Sequence, residues 1–336
     1  MQNIDLQNLG NVLVTGGTGF VGSALVKRLV NEGLKVSVLD NNSRGNIDRL
    51  NGYLEKIKFY NGDVTSLENC LEACEGIDTL FHLAAINGTE NFYKIPAKVL
   101  KVGVKGALNS VEAAIQCGVT KYIVTSSSEV YQEPVKVPTD EKERIIIPDI
   151  HNPRFSYSIG KIMSEAIAIH SPSEKLKTII CRPHNFYGPD MGTAHVIPQF
   201  ILRMKKLSND FNLKNIDLPI HGTGKETRSF CFVTDGVEGL IVAASNGSSK
   251  EIYHIGTEVE ISIAHLAKIT AQLLGIEINI VMGDSLPGGT QRRCPNINKI
   301  RKIGFEPKTT LEVGIKATIN WYLNNSIVQH KGEVIK

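Results

Sequence analysis

The sequence has 336 residues, of which 42% are hydrophobic, and a formal net charge of +3. That length and apolar content are sufficient for one large domain or two interlocked ones. The balanced charge and the lack of a basic run argue against nucleic-acid binding, and no apolar stretch approaches the roughly 18 residues that a membrane span needs.

The spacing of cysteine and histidine predicts neither a metal site nor a disulfide framework. None of the cysteines forms a Cys-x-x-Cys pair, and the nine histidines show no metal-ligand spacing. Cys70 and Cys74 lie one helical turn apart, which indicates packed thiols. The N-terminus lacks the charged-then-apolar pattern of a secretory signal. We therefore expect a protein of the cytoplasm with no membrane segment.

The first half of the chain alternates short apolar runs with longer amphipathic segments. The runs typical of buried strands are residues 11–14, 35–39, 57–60, 79–83, 122–125 and 178–181. Helical patterns lie between them, for example at residues 24–32 and 99–117. Alternation of this kind predicts an α/β fold with a doubly wound parallel sheet of the Rossmann type. Ligands bind at the carboxyl ends of the strands in such sheets.

Prolines and glycines interrupt this rhythm after Arg182 and predict a smaller C-terminal lobe laid over the sheet edge. We expect a further strand at 252–255, helices at 263–274 and 311–323, a loop at 286–289 and a disordered tail after Asn324. The predicted domains are residues 1–182, with later strand contributions from about 230–256, and a lobe of residues 183–229 and 257–336.

A glycine-rich segment at residues 15–22 follows the first strand and opens the first helix. Glycine suits a tight turn where backbone must touch a pyrophosphate, and the helix N-terminus favours phosphate charge. Asp40 closes the second strand, where a carboxylate binds ribose hydroxyls and repels a 2′-phosphate. This pattern predicts NAD, although the nearby Arg44 keeps NADP open as an alternative. Asp63 at the end of the third strand fits an adenine contact.

Tyr157 and Lys161 are spaced i, i+4 and therefore share one helix face. This spacing also arises by chance between two exposed helix residues. Its position is more informative, because it lies one element beyond the serines at 126–128, which follow the fifth strand. Serine, tyrosine and lysine can therefore converge at one edge of the sheet.

With these motifs in order, the chain resembles the extended short-chain dehydrogenases, specifically the nucleotide-sugar epimerases and dehydratases. The segments that carry the resemblance are residues 15–22, 40–43, 62–64, 82–85, 126–131, 157–161, 182–189, 228–235, 292–295 and 304–307. Three positions depart from the family pattern: Gln132 stands where glycine is usual, Gly103 where asparagine is common, and Asn296 where aspartate is usual. These departures bear on the substrate and not on the fold.

The resemblance implies NAD as cofactor and a nucleotide-diphosphate sugar as substrate. It implies that the cofactor contacts Gly16, Gly19, Phe20, Val21, Gly22, Asp40, Asn41, Ser43, Asp63, Val64, Leu83, Ala84, Ala85, Tyr157, Lys161 and His184. The substrate contacts that it implies are Ser127, Ser128, Asn185, Arg228 and either Arg292 or Arg293. The arginines fit a diphosphate, because phosphates in a cleft need cationic forks, although each could instead form a surface ion pair. Family members often form homodimers through helices near 99–117 and 157–170.

The expected catalytic residues are Ser127, Glu129, Tyr157 and Lys161. A free tyrosine has a pKa of about 10, and the positive charges of lysine and oxidised nicotinamide favour its phenolate form. Tyr157 would then accept the proton of the sugar's 4-hydroxyl while hydride leaves C4 for the cofactor. The product is a 4-keto sugar whose neighbouring C–H bonds are acidic.

Glu129 suggests 4,6-dehydratase-like or C5 chemistry on this ketone. The alternative, which the sequence supports nearly as well, is that Glu129 is a structural carboxylate with no catalytic role. A 4-epimerase, a decarboxylase and a simple sugar-nucleotide dehydrogenase are the alternatives. The sequence argues against a non-catalytic NAD-sensing module, because such a module would lack the serine, the tyrosine or the lysine, and all three are present.

Overall fold

The computed structural model describes residues 6–284 and 290–325. The expected loop at 286–289 and all but the first residue of the expected disordered tail lie outside the described residues. The strands are β1 (Val12–Thr15), β2 (Val36–Asp40), β3 (Ile57–Asn61), β4 (Thr79–His82), β5 (Lys121–Thr125), β6 (Lys177–Pro183), β7 (Phe186–Tyr187), β8 (Asn215–Ile220), β9 (Thr227–Ser229), β10 (Cys231–Phe232), β11 (Glu251–Ile255), β12 (Glu260–Ser262), β13 (Glu277–Met282) and β14 (Arg292–Arg293).

Helices lie between the strands in both halves of the chain. They are α1 (Phe20–Asn31), α2 (Leu67–Cys74), α3 (Thr89–Lys94), α4 (Pro96–Gln116), α5 (Ser156–Ile169), α6 (Val196–Leu207), α7 (Val233–Asn246), α8 (Ile263–Leu274), α9 (Asn298–Arg301) and α10 (Leu311–Asn324). Helix α1 begins four residues before the expected position 24, because the glycine turn that precedes it ends at Gly19.

The central sheet has seven parallel strands in the order β3-β2-β1-β4-β5-β6-β11. In its centre, Val14 pairs with Val38 on one side and Phe81 on the other. All four residues of β1 are buried, as expected for a parallel strand with helices on both faces. The expected doubly wound fold is therefore confirmed. The strand order reverses between β1 and β4, where such sheets open a crevice for ligands.

Two hydrophobic cores cover the two faces of this sheet. One packs α1 and α7 against it around Leu25, Leu29 and Leu240. The other packs α2 and α4 around Leu80 and Tyr122. Burying a leucine side chain fully stabilises the fold by about 1.5–3 kcal/mol, so these layers fix the sheet edge that carries the polar residues.

A third core lies in the C-terminal part, where α6, α8 and α10 enclose the parallel pair β8 and β13. Smaller pairings of β7 with β10, and of β9 with β12 and β14, join this part to the open edge of the large sheet. Across residues 6–284 and 290–325, no helix combines the length and the apolarity needed to cross a membrane.

Candidate active site

The glycine turn between β1 and α1 lines one end of a cleft of about 460 Å³. Gly16 has a φ of +73°, and a side chain there would meet the backbone nitrogen of Ala84 at 2.8 Å. At Gly22 a Cβ would overlap the carbonyl oxygen of Gly16. No side chain caps the start of α1, so its first N–H groups remain available to an anion. This cradle fits the diphosphate of a dinucleotide.

Asp40 lies beside this turn with both carboxylate oxygens engaged by backbone. Its Oδ2 accepts a hydrogen bond from the nitrogen of Thr18 at 3.0 Å, and its Oδ1 accepts one from the nitrogen of Asn42 at 2.8 Å. Each oxygen keeps a second lone pair for a ribose hydroxyl. Arg44 also lines this end of the cleft.

Ser127, Tyr157 and Lys161 meet in the middle of the cleft. Ser127 follows β5 and hydrogen-bonds Tyr157, which α5 presents one turn before Lys161. Burial raises the pKa of Tyr157, a tendency that the Ser127 hydrogen bond opposes. Burial also lowers the pKa of Lys161 to about 8, while Glu165 works in the opposite direction. The Lys161 Nζ donates to the carbonyl oxygen of Thr125 at 2.6 Å.

Glu129 projects into the same cleft and forms an ion pair with Arg293, whose Nη1 lies 2.6 Å from its Oε1. Burial alone would raise the pKa of this carboxyl, but Arg293 outweighs it, with help from Arg154 and Arg228, so the pKa falls below its ordinary value. The carboxyl group of Glu129 is therefore ionised at neutral pH.

The cleft brings together nearly all of the residues that the sequence singled out. The ones that line it are Gly16, Gly19, Phe20, Val21, Gly22, Asp40, Asn41, Ser43, Asp63, Val64, Leu83, Ala84, Ala85, Ser127, Ser128, Glu129, Tyr157, Lys161, Asn185 and Arg293.

Three expected residues do not line the cleft. His184 is buried with its ring centroid 4.7 Å from that of His254. Arg228 donates to the carbonyl oxygens of Thr227 and Thr290, at 2.7 and 2.8 Å. The side chain of Arg292 is 56% exposed and pairs with Glu260. Of the two alternatives Arg292 and Arg293, the structure thus brings only Arg293 to the cleft.

Sequence reasoning missed an ion pair at the edge of the cleft. Arg49, which lines the cleft, binds Asp190 through Nε at 2.8 Å and also donates to the carbonyl oxygen of Thr18. This contact, which we call the clasp, joins the segment after β2 to the segment after β7. A charged residue shortly after β2 is its only local signal, because Asp190 lies 141 positions away.

Within the described residues, no group of three or more histidine, cysteine, aspartate or glutamate side chains could hold a metal ion. The polar chemistry of the cleft instead consists of hydroxyl, amine, guanidinium and carboxylate groups around a dinucleotide cradle.

Residues 12–256 match the family model described as the NAD dependent epimerase/dehydratase family. The chain belongs to this family. It is 32% identical over 323 residues to a UDP-N-acetyl-alpha-D-glucosaminuronate decarboxylase of Bacillus cytotoxicus, covering 92% of this chain and 97% of that protein. It is 31% identical over 329 residues to a trifunctional UDP-glucose 4,6-dehydratase, 3,5-epimerase and reductase of Arabidopsis thaliana, but there it covers 94% of this chain and only 47% of the relative.

Two solved structures, of a nucleotide-sugar epimerase and of a nucleotide-sugar dehydratase, have the same architecture. The UDP-glucose 4-epimerase of Thermotoga maritima, solved with UDP-glucose, has a TM-score of 0.82 and 30% identity, covering 93% of this chain and 98% of that one. A dTDP-glucose 4,6-dehydratase of Streptomyces venezuelae, solved with NAD, has a TM-score of 0.82 and 25% identity, covering 94% of this chain and 97% of that one. The predictions of an NAD-dependent enzyme and of nucleotide-sugar epimerase or dehydratase chemistry are confirmed.

Proposed function

We propose that this enzyme oxidises C4 of a nucleotide-diphosphate sugar and then removes the proton from C5 of the ketone, with Glu129 as the base. Bound NAD supplies the acceptor and donor of hydride. The observation that carries the proposal is the position of the Glu129 carboxylate, which lies in the cleft with Ser127 and Tyr157 and pairs with Arg293. This pairing lowers the pKa of the carboxyl group. A base is useful there only if the reaction proceeds beyond C4.

The first half of the reaction uses the hydroxyl groups and the buried amine. Tyr157 accepts the proton of the 4-hydroxyl, Ser127 steadies the same oxygen, and Lys161 supplies positive charge one turn along α5. Burial raises the pKa of Tyr157 in the structure, which differs from the lowered pKa expected from the sequence. We propose that the positive charge of oxidised nicotinamide lowers it in the complex.

The second half depends on the charge state of Glu129. A 4,6-elimination needs a proton donor for the departing hydroxyl, and Arg293 holds Glu129 ionised. Glu129 can donate only after it has taken the proton from C5. We therefore place H5 removal first, ahead of either elimination at C6 or return of the proton to the opposite face of C5.

The second candidate is a nucleotide-sugar 4-epimerase. The ion pair between Glu129 and Arg293 favours the 4-epimerase if the only role of the carboxylate is to hold the arginine in place. The structural neighbour from Thermotoga maritima is itself a UDP-glucose 4-epimerase.

A pair of variants separates the two candidates. Glu129→Gln should still reduce the nicotinamide on mixing with a substrate from a panel of UDP-glucose, dTDP-glucose and UDP-glucuronic acid, but should not exchange H5 with deuterated buffer. Tyr157→Phe is the matched control, and it should lose both signals by about 10²–10⁴-fold. Absorbance transients and NMR of the recovered sugar measure them. A native enzyme that interconverts 4-epimers without taking up deuterium would establish the 4-epimerase.

We also propose that residues 1–182, together with about 230–256, carry NAD and that the lobe of residues 183–229 and 257–336 carries the nucleotide sugar. The position of the cleft supports this division, because its lining comes from the glycine turn on one side and from Asn185 and Arg293 on the other.

A homodimer through α4 and α5 is the assembly that we propose. Its support is the exposure of large apolar side chains on these helices, at Leu108 (49%) and Met163 (42%). Light scattering of the purified protein gives its mass in solution.

All six cysteines are free thiols, which agrees with the reducing conditions of the cytoplasm.

A further inference from the structure

Gln132 has a backbone conformation that side-chain-bearing residues rarely adopt. It follows the short helical turn Ser128–Tyr131 and has φ +52° and ψ −94°. Glycine reaches such angles without a steric penalty, because it has no Cβ. Gln132 is nevertheless buried, with 4% of its surface exposed. Strained residues persist where surrounding contacts hold them and often serve a functional site.

The contacts of Gln132 lead directly to the proposed base. Its side-chain Nε2 donates to the carbonyl oxygen of Glu129 at 2.6 Å. Its own carbonyl oxygen accepts a hydrogen bond from the Thr290 hydroxyl at 2.9 Å. Thr290 Oγ1 in turn accepts one from Arg293 Nη2 at 2.8 Å. Arg293 Nη1 donates to the Glu129 carboxylate, which completes a closed ring of hydrogen bonds.

This closed ring ties both members of the ion pair to one rigid turn. Glu129 is fixed through its main chain, and Arg293 through its second guanidinium nitrogen. The carbonyl oxygen of Thr290 also accepts a hydrogen bond from Arg228, so Thr290 joins the two arginines. The Nε of Arg293 is buried, and no described residue accepts from it.

We propose that Gln132 is a positioning residue that fixes the Glu129 carboxylate and Arg293 relative to the sugar, through its amide and through Thr290. The inference rests on the proposed role of Glu129 as a base. A glycine at this position would relieve the backbone strain but would lose the amide anchor, and the carboxylate would then sample several positions. Reaction at C5 requires one of them, so misplacement slows that step and leaves hydride transfer at C4 intact.

Two substitutions at Gln132 separate the amide from the backbone effect. Gln132→Ala keeps the strain and loses the amide, and Gln132→Gly loses both. Both variants should exchange H5 with deuterated buffer about 10- to 100-fold more slowly than the native enzyme, with unchanged transient reduction of the nicotinamide. The glycine variant should be the more heat-stable of the two, because its backbone tolerates a positive φ.

Thr290 provides a second test that leaves the Gln132 backbone untouched. Thr290→Val removes the hydroxyl at nearly constant shape and should slow H5 exchange in the same way, and Thr290→Ser should restore it. A pH profile adds a signature that lost stability would not produce. The charged and titratable groups that face Glu129 are Arg293, Arg154, Arg228 and Tyr157. Loosening Arg293 raises the pKa of Glu129, so the acid limb of the exchange rate should move to higher pH in Gln132→Gly and Thr290→Val.

The outcomes distinguish this proposal from the one on which it rests. If the native enzyme exchanges H5 and Gln132→Gly does so equally fast with an unmoved acid limb, then Gln132 has no positioning role. If the native enzyme never exchanges H5, then the proposed base is wrong. Slower nicotinamide reduction in step with slower exchange would show a general structural role and would also overturn the proposal.

Discussion

Lys161 shows how burial of one charge creates a pH dependence. In the folded protein its pKa is lowered from 10.5 to about 8, mainly because the buried amine is removed from water. The unfolded chain therefore binds this proton more tightly than the folded chain. Between about pH 8 and 10.5, the folded lysine has lost its proton and the unfolded one has not, so this group makes the fold more stable as pH rises through that window.

We therefore expect the cofactor-free native protein to gain stability, relative to a Lys161→Met variant, as pH rises from about 8 to 10.5. Thermal unfolding of both proteins at several pH values measures the difference in stability. The other titratable groups contribute equally to both proteins, so their effect cancels in this difference. A difference that stays constant across this range would contradict the lowered pKa.

Local motifs could reveal only part of the site at the scale of single residues. Tyr157 and Lys161 were predictable, because their spacing of four places both on one helix face. The partner of Glu129 was not, because Arg293 lies 164 positions away. Nothing in the neighbourhood of Thr290 marks it as the residue that joins two arginines. Contacts of this kind depend on tertiary packing and leave no periodicity in the sequence.

At the scale of elements, the two residues of β14 divide their arginines between two environments. Arg292 and Arg293 pair with consecutive residues of β9, and successive side chains of a strand point to opposite faces. Arg293 therefore reaches the cleft, and Arg292 meets Glu260 at the surface.

This alternation gives a matched pair of variants. Arg293→Ala should weaken the binding of UDP or dTDP by about 10- to 100-fold, since a hydrogen bond to a charged group contributes roughly 1.5–3 kcal/mol. Arg292→Ala should leave it unchanged, and neither should alter NAD binding. Calorimetric titration with each ligand decides the matter, and equal losses in both variants would rule out Arg293 as the diphosphate contact.

The predictability of the elements follows their length and burial. The five inner strands of the large sheet were visible as apolar runs, because burial on both faces leaves little room for polar residues. The edge strands β3 and β11 were also visible as short runs, although part of each is exposed. The strands β9, β12 and β14 have only two or three residues, too few to show alternation. Helix α7 was not foreseen either, although its buried side includes Leu240 and Ile241, because a strongly apolar helix shows little contrast between its faces.

At the scale of the whole molecule, the position of the cleft was the most predictable feature. A doubly wound parallel sheet places ligands where its strand order reverses, and the order here reverses between β1 and β4. What could not be foreseen is how the C-terminal core fits over that edge, because α6, α8 and α10 meet through contacts between distant residues.

The clasp between Arg49 and Asp190 has a consequence for how long the cofactor stays bound. It ties one wall of the cleft to the other next to the glycine turn, and we expect this ion pair to open when the dinucleotide is released. An enzyme that oxidises and then reduces the same sugar consumes no net cofactor, and slow release allows one dinucleotide to serve many turnovers. Arg49→Ala should therefore accelerate NAD dissociation, whereas exposed Arg292→Ala should not. Stopped-flow displacement of bound NADH gives the residence time, and equal times in native enzyme and Arg49→Ala would show that the clasp does not retain the cofactor.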